Sequence, residues 1–143
     1  MRRGRLIGIA VSSLLALGLP ALGCAGPGTP SFERQSNTSP GARWLALAKL
    51  AKQQDWTVAA ADATALTFVA YAATPAASGV RDRIAVKLLA ASTLITTSTE
   101  IQNGGDWLRP SRLCASYTFS REQALASQLE SEAALASLPP SPP

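Results

Sequence analysis

The sequence predicts an α+β domain, an antiparallel four-stranded meander with an N-terminal and a C-terminal helix packed on one face. Three observations carry this expectation. Ala42 to Gln54 and Ala124 to Leu138 are runs of good helix formers with apolar residues at three- and four-residue spacing. Between them the period changes to two, in β-branched and aromatic runs that end at turn-forming residues. The connections are short, whereas parallel neighbours would require crossovers of about a dozen residues, so the strands pair antiparallel.

Taken in order, Ala25 to Ser39 is rich in Gly, Pro, Ser, Thr and Asn and reads as a disordered tether. Ser39-Pro40 supplies an N-cap and a proline in the first helical turn. In the helix that follows, Trp44, Leu45, Ala48 and Ala51 share one face, and Arg43, Lys49, Lys52 and Gln53 fall elsewhere. That pattern describes an amphipathic helix against a core, with a helix on a membrane surface as the alternative. Trp56-Thr57-Val58 begins a strand, and Ala59 to Asp62 leads into a turn. Thr64 to Ala72 alternates Leu66, Phe68 and Ala70 with Thr67, Val69 and Tyr71. Thr74 to Gly79 is a loop. Arg83 to Ala90 places Ile84, Val86 and Leu88 opposite Lys87, and Thr93 to Gln102 places Ile95, Thr97, Thr99 and Ile101 together. Asn103-Gly104-Gly105-Asp106 ends that run. Trp107 to Pro110 is an irregular link, and Leu113 to Phe119 has the composition of a short strand. Ser120-Arg121-Glu122-Gln123 matches a capping box for the last helix, whose inner face is Leu125, Leu129, Ala133 and Ala136. Leu138 to Pro143 ends it in a Pro-rich tail.

The first residues carry an address. Met1 to Arg5 is basic, Leu6 to Leu19 is an apolar run, and Pro20-Ala21-Leu22-Gly23-Cys24 follows. This is the layout of an export signal, and the run is short of the roughly 20 apolar residues of a membrane span. Leu22-Gly23-Cys24 resembles the lipobox of bacterial lipoproteins. The resemblance covers the signal alone; Gly23 and Cys24 fit it, while Ala21 and Leu22 have the family's usual sizes reversed. It implies lipidation at Cys24 and an acyl anchor in the membrane. It also implies a periplasm-facing place in the cell envelope, the outer membrane favoured over the inner by Ala25. Ordinary cleavage is the alternative, because Ala21-Leu22-Gly23 also satisfies the small-x-small rule. The expected organisation is a signal peptide over 1–23, the lipidated cysteine and tether over 24–39, the α+β domain over 40–138 and the tail over 139–143.

Composition excludes several functions. The net charge of +4 includes Arg2, Arg3 and Arg5 of the signal; without them ten basic residues face nine acidic ones. Nothing in that balance, and no Arg/Lys stripe, argues for nucleic acid. The chain contains no histidine, which removes Ser-His-Asp, Cys-His and histidine-metal chemistry. It has no Gly-rich phosphate loop and no CxxC, so neither a catalytic constellation, a metal site nor a cofactor is expected. Cys114 lies between Leu113 and Ala115 and reads as a small buried hydrophobe.

One constellation remains. Asp106, Trp107, Arg109, Arg112 and Arg121 combine charge with an aromatic where strands give way to the last helix, a mixture suited to an anionic ligand or a protein partner. The expectation is a non-enzymatic, membrane-anchored envelope lipoprotein, an accessory, assembly or binding module that meets an envelope protein. The alternative is a soluble periplasmic or secreted inhibitor-like protein held by a Cys24–Cys114 disulfide.

Overall fold

The computed structural model describes residues 30–73, 78–109 and 119–138. The chain runs β1 (Phe32–Gln35), α1 (Pro40–Gln53), β2 (Thr57–Asp62), β3 (Thr67–Ala73), β4 (Val80–Leu88), β5 (Ser92–Asn103), β6 (Asp106–Leu108) and α2 (Ser120–Ala136). All strand pairs are antiparallel, in the order β1-β5-β4-β3-β2, and β6 joins the far end of β5. The fold is therefore α+β, as expected, with a sheet of six strands rather than four.

The four expected strands form the meander β2 to β5. The additions are at the β5 edge: Phe32 to Gln35 pair with Ile95 to Ser92, and Asp106 to Leu108 pair with Asn103 to Ile101. The first four residues correct the tether, which gives Phe32–Gln35 to the sheet. The second three correct the irregular link. Likewise Ala59 to Asp62 continue β2 rather than turning, with a bulge between Val58 and Ala60. The turn comes later, where Asp62 Oδ1 accepts hydrogen bonds from the amides of Thr64 and Ala65, both at 2.9 Å. Gly104 and Gly105 both have positive φ (62° and 113°), which suits the tight β5–β6 hairpin.

Helix α1 starts as the sequence predicts: Ser39 Oγ accepts from the Ala42 amide at 3.1 Å, with Pro40 in the first turn. It ends in a Schellman-type arrangement, in which the Trp56 amide bonds Ala51 O at 2.8 Å and Asp55 takes a left-handed φ of 54°. The capping box of α2 does not form. Ser120 is already helical, Phe119 occupies the N-cap with no side-chain cap, and Glu122 alone supplies the acidic first turn.

Both helices pack on one face of the sheet. Phe68, Ala70, Ile84, Val86, Leu88 and Ile95 of the strands meet Leu47 and Leu50 of α1 and Leu125 and Leu129 of α2. Each of the larger of these side chains, when fully buried, contributes about 1.5–3 kcal/mol. The inner face of α1 is not the expected one. Arg43, Ala46, Leu47, Leu50 and Ala51 are buried, and Leu45 is 65% exposed. On α2 the inner face is Glu122, Leu125, Ala126, Leu129 and Ala133, while Ala136 is exposed.

Arg43 explains the rotation of α1. Its guanidinium reaches the β4–β5 turn, donating to Ser92 O (2.7 Å), Thr93 Oγ1 (2.8 Å), Leu89 O (2.7 Å) and Ala90 O (3.1 Å). Burial pushes its pKa down, and the charge of Glu130 opposes that. Glu130 in turn is held by the hydroxyls of Ser36 (2.9 Å) and Thr38 (3.3 Å).

Candidate functional site

Alternation along β5 and β6 sends Glu100, Gln102 and Trp107 to the sheet face opposite the helices, since Gln102 pairs with Trp107 and Ile101 with Leu108. Arg81 faces Glu100 directly across β4–β5. The sequence-predicted site is thereby divided. Trp107 and Arg109 come together on this face, which is helix-free among the described residues. Asp106, in register with Asn103, falls on the opposite side of the β6 ribbon. Arg121 belongs to α2 on the helical face, where it pairs with Asp82 and approaches Thr99 Oγ1 at 3.4 Å. Arg112, Cys24 and Cys114 lie outside the described residues.

What gathers around Trp107 includes three residues that the sequence did not single out: Tyr71, Arg81 and Glu100. The Arg81 guanidinium lies 3.7 Å from the Tyr71 ring centre and 4.0 Å from that of Trp107. The two rings clamp the cation between them. Its Nε and Nη2 both donate to Glu100 Oε2, at 2.9 and 2.8 Å, and Arg109 Nε donates to Oε1 at 2.8 Å. Burial by itself would raise the Glu100 pKa. The hydrogen bonds and charges of Arg109 and Arg81 outweigh it, so the carboxyl is held below its ordinary range. Arg83 belongs to the same face, opposite Tyr71 on β3 and Ser98 on β5.

The arrangement thus holds one carboxylate between Arg81 and Arg109, with two rings clamping Arg81 and Arg83 on the same face, and half of the Arg109 side chain is open to solvent. It can present a planar cation and aromatic edges to a carboxylate, a phosphate or a protein surface. Nothing in it is arranged to activate a nucleophile. Among the described residues, no three His, Cys, Asp or Glu side chains are placed to hold a metal ion. The sequence did contain a signal for Arg81: period two puts it with Arg83 and Lys87 on the polar side of β4. Its partner Glu100 was hidden among threonines, and the pairing is a matter of register.

Among the described residues, the helical face has further openings. A mixed pocket of about 300 Å³ lies between Trp56, Asp82, Arg121 and Gln128. An apolar groove of about 390 Å³ runs over Trp44, Trp56, Val58 and Phe68. Glu122 is fully buried and accepts the Thr97 hydroxyl, so it ties α2 to β5 rather than meeting solvent. Among the described residues, no helix is long and apolar enough to cross a membrane. In comparisons with known proteins, no family model and no curated sequence matches the chain.

Proposed function

We propose that the protein is a membrane-anchored envelope lipoprotein of non-enzymatic type, a binding or assembly module tethered through Cys24. One observation carries the binding reading: the helix-free face bears the Tyr71–Arg81–Trp107 stack beside Arg83, Arg109 and Glu100. Aromatic and arginine side chains together are the residues most often found at the energetic centre of protein interfaces. Their rigid mutual support keeps the ordering cost of binding low. The partner is an envelope protein that offers acidic groups to Arg83 and Arg109. No nucleic acid, metal or cofactor enters this reading.

The anchor rests on Gly23-Cys24 after the apolar run. Intact mass of the mature protein tests it, since lipidation adds acyl chains whereas a Cys24–Cys114 disulfide removes two hydrogens. The binding face is tested by photocrosslinking in cells from position 83 or 107, with exposed α2 position 128 as the control. One envelope protein should be captured from the sheet positions and lost on Arg109→Glu. Equal capture from both sides of the domain refutes the reading.

A further inference from the structure

The flank between α1 and the edge strand β2 lies apart from the aromatic–arginine stack; its Trp44 and Trp56 are partly buried against the core, and Trp44 meets the Phe68 ring edge-on at 6.2 Å. Leu45 on α1 is 65% exposed and Val58 on β2 is 47% exposed. Between helix and strand runs the apolar groove, floored by Phe68, walled by Trp44 and Trp56, with Lys52 as the charged residue in its lining. Every residue of β2 is exposed.

We propose that this flank rests on the membrane surface, with Leu45 and Val58 entering the interfacial layer and Trp44 and Trp56 at headgroup level. The proposal rests on the lipid-anchor reading for its geometry. Because Phe32 already belongs to β1, the free tether is shorter than the composition of residues 24–39 implies. Cys24 and Phe32 are eight residues apart, a reach of at most about 26–29 Å. The sheet from β1 to β2 spans four strand intervals, about 19 Å. An anchor at Cys24 therefore keeps the whole domain, including the far β2 edge, within contact distance of the bilayer. At that range the second attachment is intramolecular and adds to a partition that the flank has by itself. Tryptophan is the side chain best matched to the boundary between acyl chains and headgroups, and the Lys52 stem can carry its ammonium to the headgroups. Seated on this edge, the domain leaves the opposite sheet face, with Trp107 and Arg109, clear of the bilayer.

The test uses the mature chain carrying Cys24→Ala, which has no anchor. It is mixed with vesicles of phosphatidylcholine and phosphatidylglycerol bearing brominated acyl chains. The chain should float with the vesicles, and its tryptophan fluorescence should be quenched. Leu45→Glu with Val58→Glu, both at exposed positions, should weaken partition by about tenfold, which corresponds to about 1.4 kcal/mol. An unchanged circular dichroism spectrum would show that the fold is kept. Trp107→Phe should leave the quenching intact. No flotation of the parent chain, flotation indifferent to the double variant, or quenching abolished by Trp107→Phe overturns the proposal. So does crosslinking from Val58 in cells to a protein rather than to lipid. Because this chain lacks the anchor by construction, a failure here is distinct from a failure of Cys24 acylation, which intact mass reads separately.

Discussion

Arg43 and Glu100 are both almost sealed from solvent, at 0% and 3% exposure, and the molecule keeps the two charges in opposite ways. On the helical side Arg43 is a cation among neutral acceptors: three carbonyls and a hydroxyl of the β4–β5 turn, with Glu130 as its more distant counter-charge. On the helix-free side Glu100 is an anion gripped directly by two arginines. The first arrangement ties α1 to a turn about 50 residues away in sequence and fixes which helical face is buried. The second holds a surface in shape. The difference teaches where stability ends and binding begins: Arg43 is spent on backbone, whereas Arg109 keeps half of its side chain in solvent.

The largest expected effect is therefore at Arg43. Arg43→Ala strands several buried carbonyls, each costing about 1–3 kcal/mol when left without a donor. The sum should be about 3–5 kcal/mol in urea unfolding. Arg43→Lys should recover little, because a single ammonium cannot reach the same fork of acceptors. A loss below about 1 kcal/mol would mean that water replaces the guanidinium and that α1 is placed by its leucines alone. Next comes Leu129, fully buried in α2 against the same core. Leu129→Ala should cost about 2–5 kcal/mol, depending on how far the site collapses. If it costs clearly more than Arg43→Ala, the order of the two anchors of the helical layer is reversed.

Glu100 should show a smaller effect with a distinctive pH signature. Its folded pKa is depressed, so its contribution is fully present above the unfolded value of about 4.3 and is lost as pH falls through the lower folded value. Glu100→Gln should cost about 1–2 kcal/mol at neutral pH, part of the Arg109 contribution being screened by solvent. It should also flatten the acid limb of stability below about pH 4.3. Thermal melts at neutral and acid pH measure both. An acid limb as steep in Glu100→Gln as in the parent chain would place the proton uptake at another carboxylate.

The β3 and β4 strands were legible because their period is uninterrupted: Phe68 and Ala70, then Ile84, Val86 and Leu88, face inward as the alternation requires; the bulge between Val58 and Ala60 hid the end of β2. The α2 stripe of Leu125, Leu129 and Ala133 was legible for the same reason. The buried face of α1 was not, since its Ala and Leu residues are spread widely enough to allow more than one apolar stripe and Arg43 sits on the one that is buried. Yet Arg43 lies three and four residues before Ala46 and Leu47, on the buried stripe. β1 was missed because the four residues Phe32–Gln35 carry no period of their own, and only the β5 edge makes them a strand. The site was half legible. Trp107 and Arg109 announce themselves by type, but Arg81 and Glu100 become neighbours only through the β4–β5 register. Arg121 was assigned to the same cluster because sequence proximity says nothing about which side of a sheet a chain segment lands on.

The smallest expected effect on stability separates the two faces most sharply. Trp107 stacks on a cation already clamped by Tyr71 on its other side and held by Glu100, and it belongs to a three-residue strand at the sheet edge. Removing it forfeits one cation–π contact of about 0.5–1 kcal/mol at an exposed site. Because Arg81 keeps its carboxylate, no buried charge is left alone. Trp107→Ala should thus lower stability by no more than about 1 kcal/mol, with unchanged circular dichroism, and yet abolish partner capture from position 83. Trp107→Phe should retain most of both, since a ring still covers the guanidinium. A loss of several kcal/mol on Trp107→Ala would make the stack a second core, buried in earnest like the one around Leu47 and Leu129. Full partner capture by Trp107→Ala would move the binding surface off this face altogether.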